Sequence, residues 1–301
     1  MSLFLSLILA AFGLSEGRNL RVVGRYAEAQ NVFTSLLRES EQRGPGSVFV
    51  ATVLDDLALT EQDLGNFMAA ESLLTRSLAI RRDLTVESHL GEVYLVEQRA
   101  REAESLFRHV LEARQNAPHS DPENTAIALA DLALVYKYEG KLGRAEALLR
   151  QALALLEERF RPDDPMLSSA LGPLGTTLTR EGKYKEALSV TERTWRILRN
   201  TPGVGEPDLI NTMSNLGMLY SLTGRFAEAE SYGKEAVAKA EAIYGPEHYR
   251  LGWHLANYAA ILERMGRKAD ARKVQQRSAA ILARSEKANP VSHTVNVNAL
   301  R

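Results

Sequence analysis

The sequence predicts an all-α protein, built as a right-handed solenoid of about seven helix-turn-helix units. Three observations support this expectation: a short glycine-to-alanine motif recurs, its copies are almost evenly spaced, and amphipathic helical patterns flank each copy. A unit of this size cannot bury its apolar face alone. We therefore expect neighbouring units to stack and to share one continuous core.

The recurring motif runs from a glycine to an alanine five residues later, as in residues 224–229. The closing alanines are Ala29, Ala70, Ala103, Ala145, Ala187, Ala229 and Ala271, at intervals of 41, 33, 42, 42, 42 and 42 residues. In one copy Gln98 replaces the glycine. Glycine can adopt the left-handed conformation that ends a helix, and a small alanine allows two helices to approach closely. The large residues two positions after the glycine are expected in the core; they include Tyr26, Phe67, Tyr184 and Phe226.

Proline-containing pairs separate the units and are expected to begin the next first helix, because proline suits the first helical position. They are Asp121-Pro122, Asp164-Pro165, Glu206-Pro207 and Gly245-Pro246. The last unit is expected to close the array with a polar face. In that unit Lys268 and Gln275 stand where other units have apolar residues.

These features resemble the tetratricopeptide repeats. The matching elements are a small residue seven before the glycine, Tyr or Leu four before it, an aromatic two after it and alanine five after it. The 42-residue interval and the linker Tyr244-Gly245-Pro246-Glu247-His248 look like the kinesin-light-chain variety, whereas the 33-residue step is close to the ordinary period of about 34. The resemblance covers residues 21–284 and implies a superhelix whose first helices line a concave, ligand-binding side.

Residues 1–20 and 285–301 lie outside the repeats. The apolar run at the N-terminus has the length of a signal-peptide core, although no Lys or Arg precedes it. The alternative is a divergent first helix, so an exported and a cytoplasmic location both stay open. The run is too short for an ordinary transmembrane span. The polar tail is expected to be disordered, or to form a short extended segment.

Composition argues against several functional classes. Lys and Arg number 37 against 38 Asp and Glu, so no net positive charge favours nucleic acid. The chain has no cysteine, and its six histidines form no metal-binding pair of the H-E-x-x-H type. Nucleotide-binding loops and nucleophile elbows are also absent from the sequence. We therefore expect no enzyme activity, no cofactor and no metal.

The candidate partner-binding residues lie on the inward stripe of the first helices. The resemblance implies that the residue nine before the glycine faces the ligand, with Asn there contacting the backbone of a bound peptide. The candidates at this position are Asp56, His89, Asp131, Asn215 and Asn257, whereas Pro173 departs from the pattern. Neighbouring inward candidates are Asn211, Tyr138, Arg180 and Arg264, together with Asp55, Glu92, Lys137, Ser214 and Ser221.

The function expected from these features is a non-catalytic scaffold that binds a protein or an extended peptide in its groove, as a monomer. The acidic N-terminal part of the stripe favours Lys or Arg on the ligand. Two alternatives stay open: a self-assembling or regulatory repeat module, and a nucleic-acid-binding helical repeat. The acidic groove residues count against the second alternative.

Overall fold

The computed structural model describes residues 3–117 and 121–288 and shows seven antiparallel helix pairs in this part of the chain. The helices are α1 (Leu3–Val22), α2 (Tyr26–Arg43), α3 (Val48–Leu64), α4 (Phe67–Ile80), α5 (Leu84–Val96), α6 (Ala100–Gln115), α7 (Pro122–Tyr138), α8 (Leu142–Glu157), α9 (Ser168–Arg180), α10 (Tyr184–Arg199), α11 (Glu206–Leu222), α12 (Phe226–Tyr244), α13 (Tyr249–Arg264) and α14 (Lys268–Ala288), with a 3₁₀ turn at Pro165–Leu167. The expected all-α array of about seven units is confirmed.

Each unit turns between its two helices at the residue that begins the motif. The motif glycines have φ angles of 76° to 85°, in the left-handed region; they are Gly24, Gly65, Gly140, Gly182, Gly224 and Gly266. Gln98, which replaces glycine in the third unit, adopts the same conformation with φ of 61°. The turn therefore keeps its geometry even where the preferred residue is missing.

The two helices of a unit approach most closely at the closing alanine. Six of these alanines have no exposed surface, and Ala271 in the last unit is 8% exposed. The opposing position on the first helix is equally tight. A Cβ added to Gly217 would lie 3.1 Å from the backbone nitrogen of Gly233 and 3.3 Å from the carbonyl oxygen of Ala229. The expectation of close backbone contact there is confirmed.

Two of the predicted unit starts carry side-chain caps. Oδ1 of Asp121 accepts from the amide of Glu123 at 3.2 Å, and Oδ1 of Asp164 accepts from that of Met166 at 2.9 Å. The expectation that α13 begins at Gly245-Pro246 is wrong. His248 caps this helix instead, because its Nδ1 accepts from the amide of Arg250 at 3.3 Å.

The expectation that all the motif aromatics lie in the core is wrong for two of them. Tyr26 and Phe67 are 4% and 9% exposed, but Tyr184 and Phe226 are 36% and 40% exposed. These side chains stand at the edge of the array, next to the turns. An aromatic at this edge is buried only where another part of the chain covers it, as it does in the first two units.

The array curves with its first helices on the inside. First helices of successive units contact one another: α5 contacts α7, α7 contacts α9, and α11 contacts α13. In the described part of the chain, successive second helices make no comparable contacts. The first helices are therefore more closely spaced, and their outward-facing partners fan apart. We call the resulting concave surface the inner groove.

The two ends complete the array. Leu14 and Leu20 of α1 pack against the buried cluster formed by α2 and α3, so this helix is part of the packed structure. Helix α14 continues to Ala288, past the predicted end of the repeats at 284, and Lys268 and Gln275 are exposed as expected of a terminal unit. The remainder of the predicted tail, 289–301, lies outside the described residues. Across 3–117 and 121–288, no helix combines the length and apolar character needed to cross a membrane.

Candidate functional site in the inner groove

The structure places the predicted groove residues on the first helices, at three levels of exposure. Asp56 and Asp131 are buried; His89, Arg180, Asn215 and Asn257 are half-buried; Tyr138, Asn211 and Arg264 are exposed. Most of these side chains thus lie in the groove wall with some atoms accessible to solvent. Their role in binding stays a prediction.

The C-terminal part of the groove is lined by neutral polar groups and arginine. The side-chain amide of Asn257 donates to the hydroxyl of Ser214 at 3.0 Å, and Nε of Arg264 lies 3.4 Å from the carbonyl oxygen of Ser221. Asn211 and Asn215, one helical turn apart on α11, make no side-chain hydrogen bond to the described residues. Their carboxamides are therefore available to donate to and accept from a ligand.

Asp56, a predicted groove residue, is already paired within the chain. Nε of Arg18 lies 2.9 Å and 3.0 Å from its two carboxylate oxygens, and Nη2 lies 2.8 Å from Oδ2. Burial raises the pKa of Asp56, although the bond to Arg18 opposes that shift. Its main contact is thus a structural pair between α1 and α3.

His89 pairs with a neighbouring carboxylate across two first helices. Its Nδ1 lies 2.8 Å from Oδ1 of Asp55. Burial disfavours protonation of the ring, but the hydrogen bond to Asp55 and the charges of Asp55 and Glu92 outweigh it and raise the pKa of His89. The protonated ring would pair with Asp55, and its charge would also act on Glu92 and Asp131, which have no ion pair of their own among the described residues.

Glu92 on α5 and Asp131 on α7 are two acids of the groove wall, and the charge of Asp131 acts on Glu92. Loss of water raises the pKa of Glu92 to about 7, and the charge of Asp131 adds to the shift. Burial also raises the pKa of Asp131 to about 6. Neither carboxylate has an ion-pair partner among the described residues. Each carboxylate would be stabilised by a cation placed between them.

Lys137 on α7 and Arg180 on α9 form a basic counterpart further along the groove. Loss of water lowers the pKa of Lys137 to about 8, with a further contribution from the charge of Arg180. Nζ of Lys137 lies 3.4 Å from the hydroxyl of Thr176, and Nη1 of Arg180 donates to the carbonyl oxygen of Lys137 at 2.5 Å. Neither cation has a carboxylate partner among the described residues.

Charges on the outer surface are arranged differently. At several motif turns, an arginine after the turn pairs with an acid three residues later, as in Arg225 with Glu228 at 2.8 Å and Arg267 with Asp270 at 2.7 Å. Other pairs connect successive second helices, such as Arg277 with Glu241. Many outer charges are therefore paired, and unpaired ones such as Arg101 and Lys185 are exposed to water. The four charges at the middle of the inner groove are unpaired although they are buried or half-buried.

The first and last units meet in a polar contact that we call the closing contact. Asp63, at the end of α3, accepts from Arg21 of α1 at 2.9 Å and from Arg250 of α13 at 2.7 Å. The two carbonyl oxygens at the end of α3 are also satisfied from far along the chain. The hydroxyl of Tyr249 donates to the carbonyl oxygen of Gln62, and Nε2 of His248 donates to the carbonyl oxygen of Asp63, both at 3.1 Å.

Aromatic side chains surround these polar groups. Tyr26 stacks on Tyr244 with ring centroids 6.1 Å apart, and Phe67 meets Tyr249 edge-on at 6.5 Å. Burial and the charge of Arg250 lower the pKa of His248 to about 4, so the ring is neutral at physiological pH. The turn edges of the first two units thus rest on the linker and first helix of the last unit, and the array completes a full turn.

The closing contact is the feature that sequence reasoning missed. Asp63 and Arg250 belong to no motif in the sequence, and His248 stands out only as part of a linker. The repeat motif carries no signal for this contact, since it describes neighbours about 42 residues apart whereas these partners are 187 apart. Arg18, the partner of Asp56, was missed because it lies outside the predicted repeats.

Comparison with known proteins supports the architecture. A tetratricopeptide-repeat model matches residues 84–158, 166–242 and 224–284, and a second tetratricopeptide-repeat model matches 50–90. Comparison with curated protein sequences gives no significant match.

Among solved structures, a putative kinesin light chain from Podosopora anserina with nearly identical TPR-like repeats is 20% identical. The match covers 68% of this chain and 97% of that one, with a TM-score of 0.52. A Rap protein complexed with competence and sporulation factor is 15% identical, covering 93% and 78% of the two chains with a TM-score of 0.64. The Cut9–Hcn1 hetero-tetramer of APC/C is 13% identical, and the match covers 90% of this chain and 46% of that one, with a TM-score of 0.58.

At these identities the solved structures establish the fold alone. The family models, however, match more than half of the chain. The chain belongs to the tetratricopeptide-repeat family, and its repeats resemble those of kinesin light chain.

Proposed function

We propose that this protein is a non-catalytic scaffold that binds an extended segment of a partner protein in the inner groove. The observation that carries the proposal is the contrast between the two surfaces. Outer charges are paired or exposed to water, whereas the groove presents unpaired charges that are buried or half-buried, together with the free carboxamides of Asn211 and Asn215. An extended polypeptide needs such groups, because its amides and carbonyls must remain hydrogen-bonded when water leaves.

The family and two of the structural matches support a protein partner. Tetratricopeptide repeats commonly mediate protein association, and the matched Rap protein and the Cut9–Hcn1 assembly are both complexes. The candidate residues of the C-terminal part, Asn211, Asn215 and Asn257, suit backbone recognition. The charged candidates between α5 and α9 suit side-chain recognition.

A random-peptide display library selected on the purified protein tests the proposal. Replacing Asn211 and Asn215 together with alanine should weaken binding of the enriched peptides about tenfold, since two hydrogen bonds to the ligand are lost. Because neither side chain bonds within the described chain, the melting temperature should hardly change. Fluorescence anisotropy with labelled peptides gives the dissociation constants.

The matched control replaces two outer amides, Asn31 and Gln151, both exposed on second helices. This variant should bind like the unmodified protein. If the library yields no peptide, or if the inner and outer variants behave alike, the groove is not the binding surface.

A further inference from the structure

The unpaired charges in the middle of the inner groove carry information about the partner. Glu92 and Asp131 form an acidic subsite on α5 and α7, and Lys137 and Arg180 form a basic subsite on α7 and α9. Asp131 is 9% exposed and has no ion-pair partner among the described residues. Uncompensated charges in such a site are costly to a folded protein and are retained mainly where they act.

The two subsites do not neutralise each other. Asp131 and Lys137 are six residues apart on α7, which separates them by about 9 Å along the helix axis. Nη1 of Arg180 donates to the carbonyl oxygen of Lys137, so this guanidinium lies at the Lys137 end of α7. The groove therefore holds a negative and a positive region side by side, each lacking an ion-pair partner.

The titration of these groups agrees with the geometry. Loss of water raises the pKa of Glu92 to about 7 and that of Asp131 to about 6, and lowers that of Lys137 to about 8. Both signs thus shift towards the neutral form, as expected when the loss of water outweighs any nearby counter-charge, which for the two acids is that of His89. A ligand carrying both charges would reverse these shifts and stabilise the ionised forms.

The separation of the subsites sets the spacing on the ligand. A distance of about 9 Å corresponds to about three residues of an extended chain. We propose that the groove between α5 and α9 selects a partner segment carrying a basic and an acidic residue about three positions apart. The basic side chain contacts Glu92 and Asp131, and the acidic side chain contacts Lys137 and Arg180.

This inference rests on the proposed function, and the display selection separates the two. Enriched peptides should carry Lys or Arg about three positions from Asp or Glu, in either order along the chain. If peptides are enriched and need Asn211 and Asn215 but show no such pair, the charge inference is overturned and the scaffold function stands. If no peptide is enriched, both are overturned.

Two single variants then test which groove residue recognises which charge on the peptide. Glu92→Gln should weaken a mixed-charge peptide about tenfold, yet leave unchanged a matched peptide in which glutamine replaces the basic residue. Lys137→Gln should likewise weaken the mixed-charge peptide about tenfold, yet leave unchanged a matched peptide in which glutamine replaces the acidic residue. Arg161→Gln, which removes an exposed cation between α8 and α9, is the control and should leave both peptides unaffected.

Folding does not obscure this test. Because Glu92→Gln and Lys137→Gln each remove a charge that has no ion-pair partner among the described residues, we expect the melting temperature of these free variants to be unchanged or higher. Equal losses for the mixed-charge peptide and its glutamine analogue would mean that neither subsite reads charge, and would contradict the inference.

Discussion

Backbone conformation at single residues explains the regularity of the array. Gln98 is the one residue other than glycine with a positive φ in the described part of the chain, and it stands where the other units have glycine. An L-residue with a side chain is disfavoured in this left-handed region by about 1 kcal/mol. The third unit therefore tolerates a local strain that its neighbours avoid.

Replacing Gln98 with glycine should raise the free energy of unfolding by about 1 kcal/mol, since the strain is relieved and the turn is otherwise unchanged. Urea denaturation followed by circular dichroism measures the difference. The converse change, Gly182→Gln, introduces the strain where φ is 77° and no atom obstructs the side chain, so it should lower stability by a similar amount. Equal stability of all three proteins would show that the turn is not strained.

Individual residues also show where sequence reasoning about the groove succeeds and stops. The predicted stripe lies on first helices because helical periodicity fixes which residues share one face of a helix, whereas its role in binding stays a prediction. The same reasoning could not separate free from occupied side chains. Asp56 and Asp131 hold equivalent positions, but Asp56 pairs with Arg18, whereas Asp131 has no ion-pair partner among the described residues and only the charge of His89 acts on it. Pairing depends on residues outside the repeating pattern.

At the scale of helices, the pairing within units followed directly from the sequence. The small residues at the closing alanines and at Gly217 require a close approach, which the burial of Ala229 shows. Helix starts were less predictable. The proline after Gly245 suggested a start there, but α13 begins three residues later because His248 supplies the cap.

The aromatic residues after the turns give the clearest difference between local and global determinants. Phe67 and Phe226 occupy the same position in their units, yet they are 9% and 40% exposed. Nothing in their local sequence distinguishes them. The difference arises because Tyr249 of the last unit covers Phe67, whereas the edge beside Phe226 is uncovered.

This pair provides a test with matched chemistry. Phe67→Ala should lower the free energy of unfolding by about 3 kcal/mol, as for a buried aromatic, and Phe226→Ala by roughly half of that. Chemical denaturation of both variants measures the two losses. Equal losses of unfolding free energy would indicate that Phe67 is no better buried than Phe226.

The whole molecule adds a property that no unit possesses. Seven units complete one turn, so that the first two units contact the last and enclose the inner groove. The number of units per turn depends on small rotations summed over the array. A local motif cannot specify it, which is why the closing contact could not be predicted from the sequence.

The closing contact should make stability dependent on pH through His248. Its neutral ring caps α13 and donates to Asp63, and Arg250, with Tyr26, Tyr244 and Tyr249 around it, disfavours a second charge. The pKa is about 4 in the folded protein and about 6.5 when unfolded. Between these values the unfolded state binds more protons, so this group's contribution is present above pH 6.5 and is lost as pH falls towards 4.

His248→Gln should therefore show a shallower decline of melting temperature from pH 7 to pH 4 than the unmodified protein. Comparison of the two proteins is essential, because the pKa of His254 is also lowered to about 4, so this residue too lowers stability as pH falls. The pKa values of Glu92 and Asp131 are raised, so these two groups favour the folded state as pH falls. Parallel pH profiles would mean that His248 does not titrate through the closing contact.

The enclosure of the groove can be measured directly in solution. The chain has no cysteine, so Met68→Cys and Glu247→Cys, two exposed positions on either side of the closing contact, can carry spin labels without background. Pulsed electron spin resonance should give a single short and narrow distance distribution, which Asp63→Asn should broaden. A long and broad distribution in the otherwise unmodified protein would show that the first and last units do not meet.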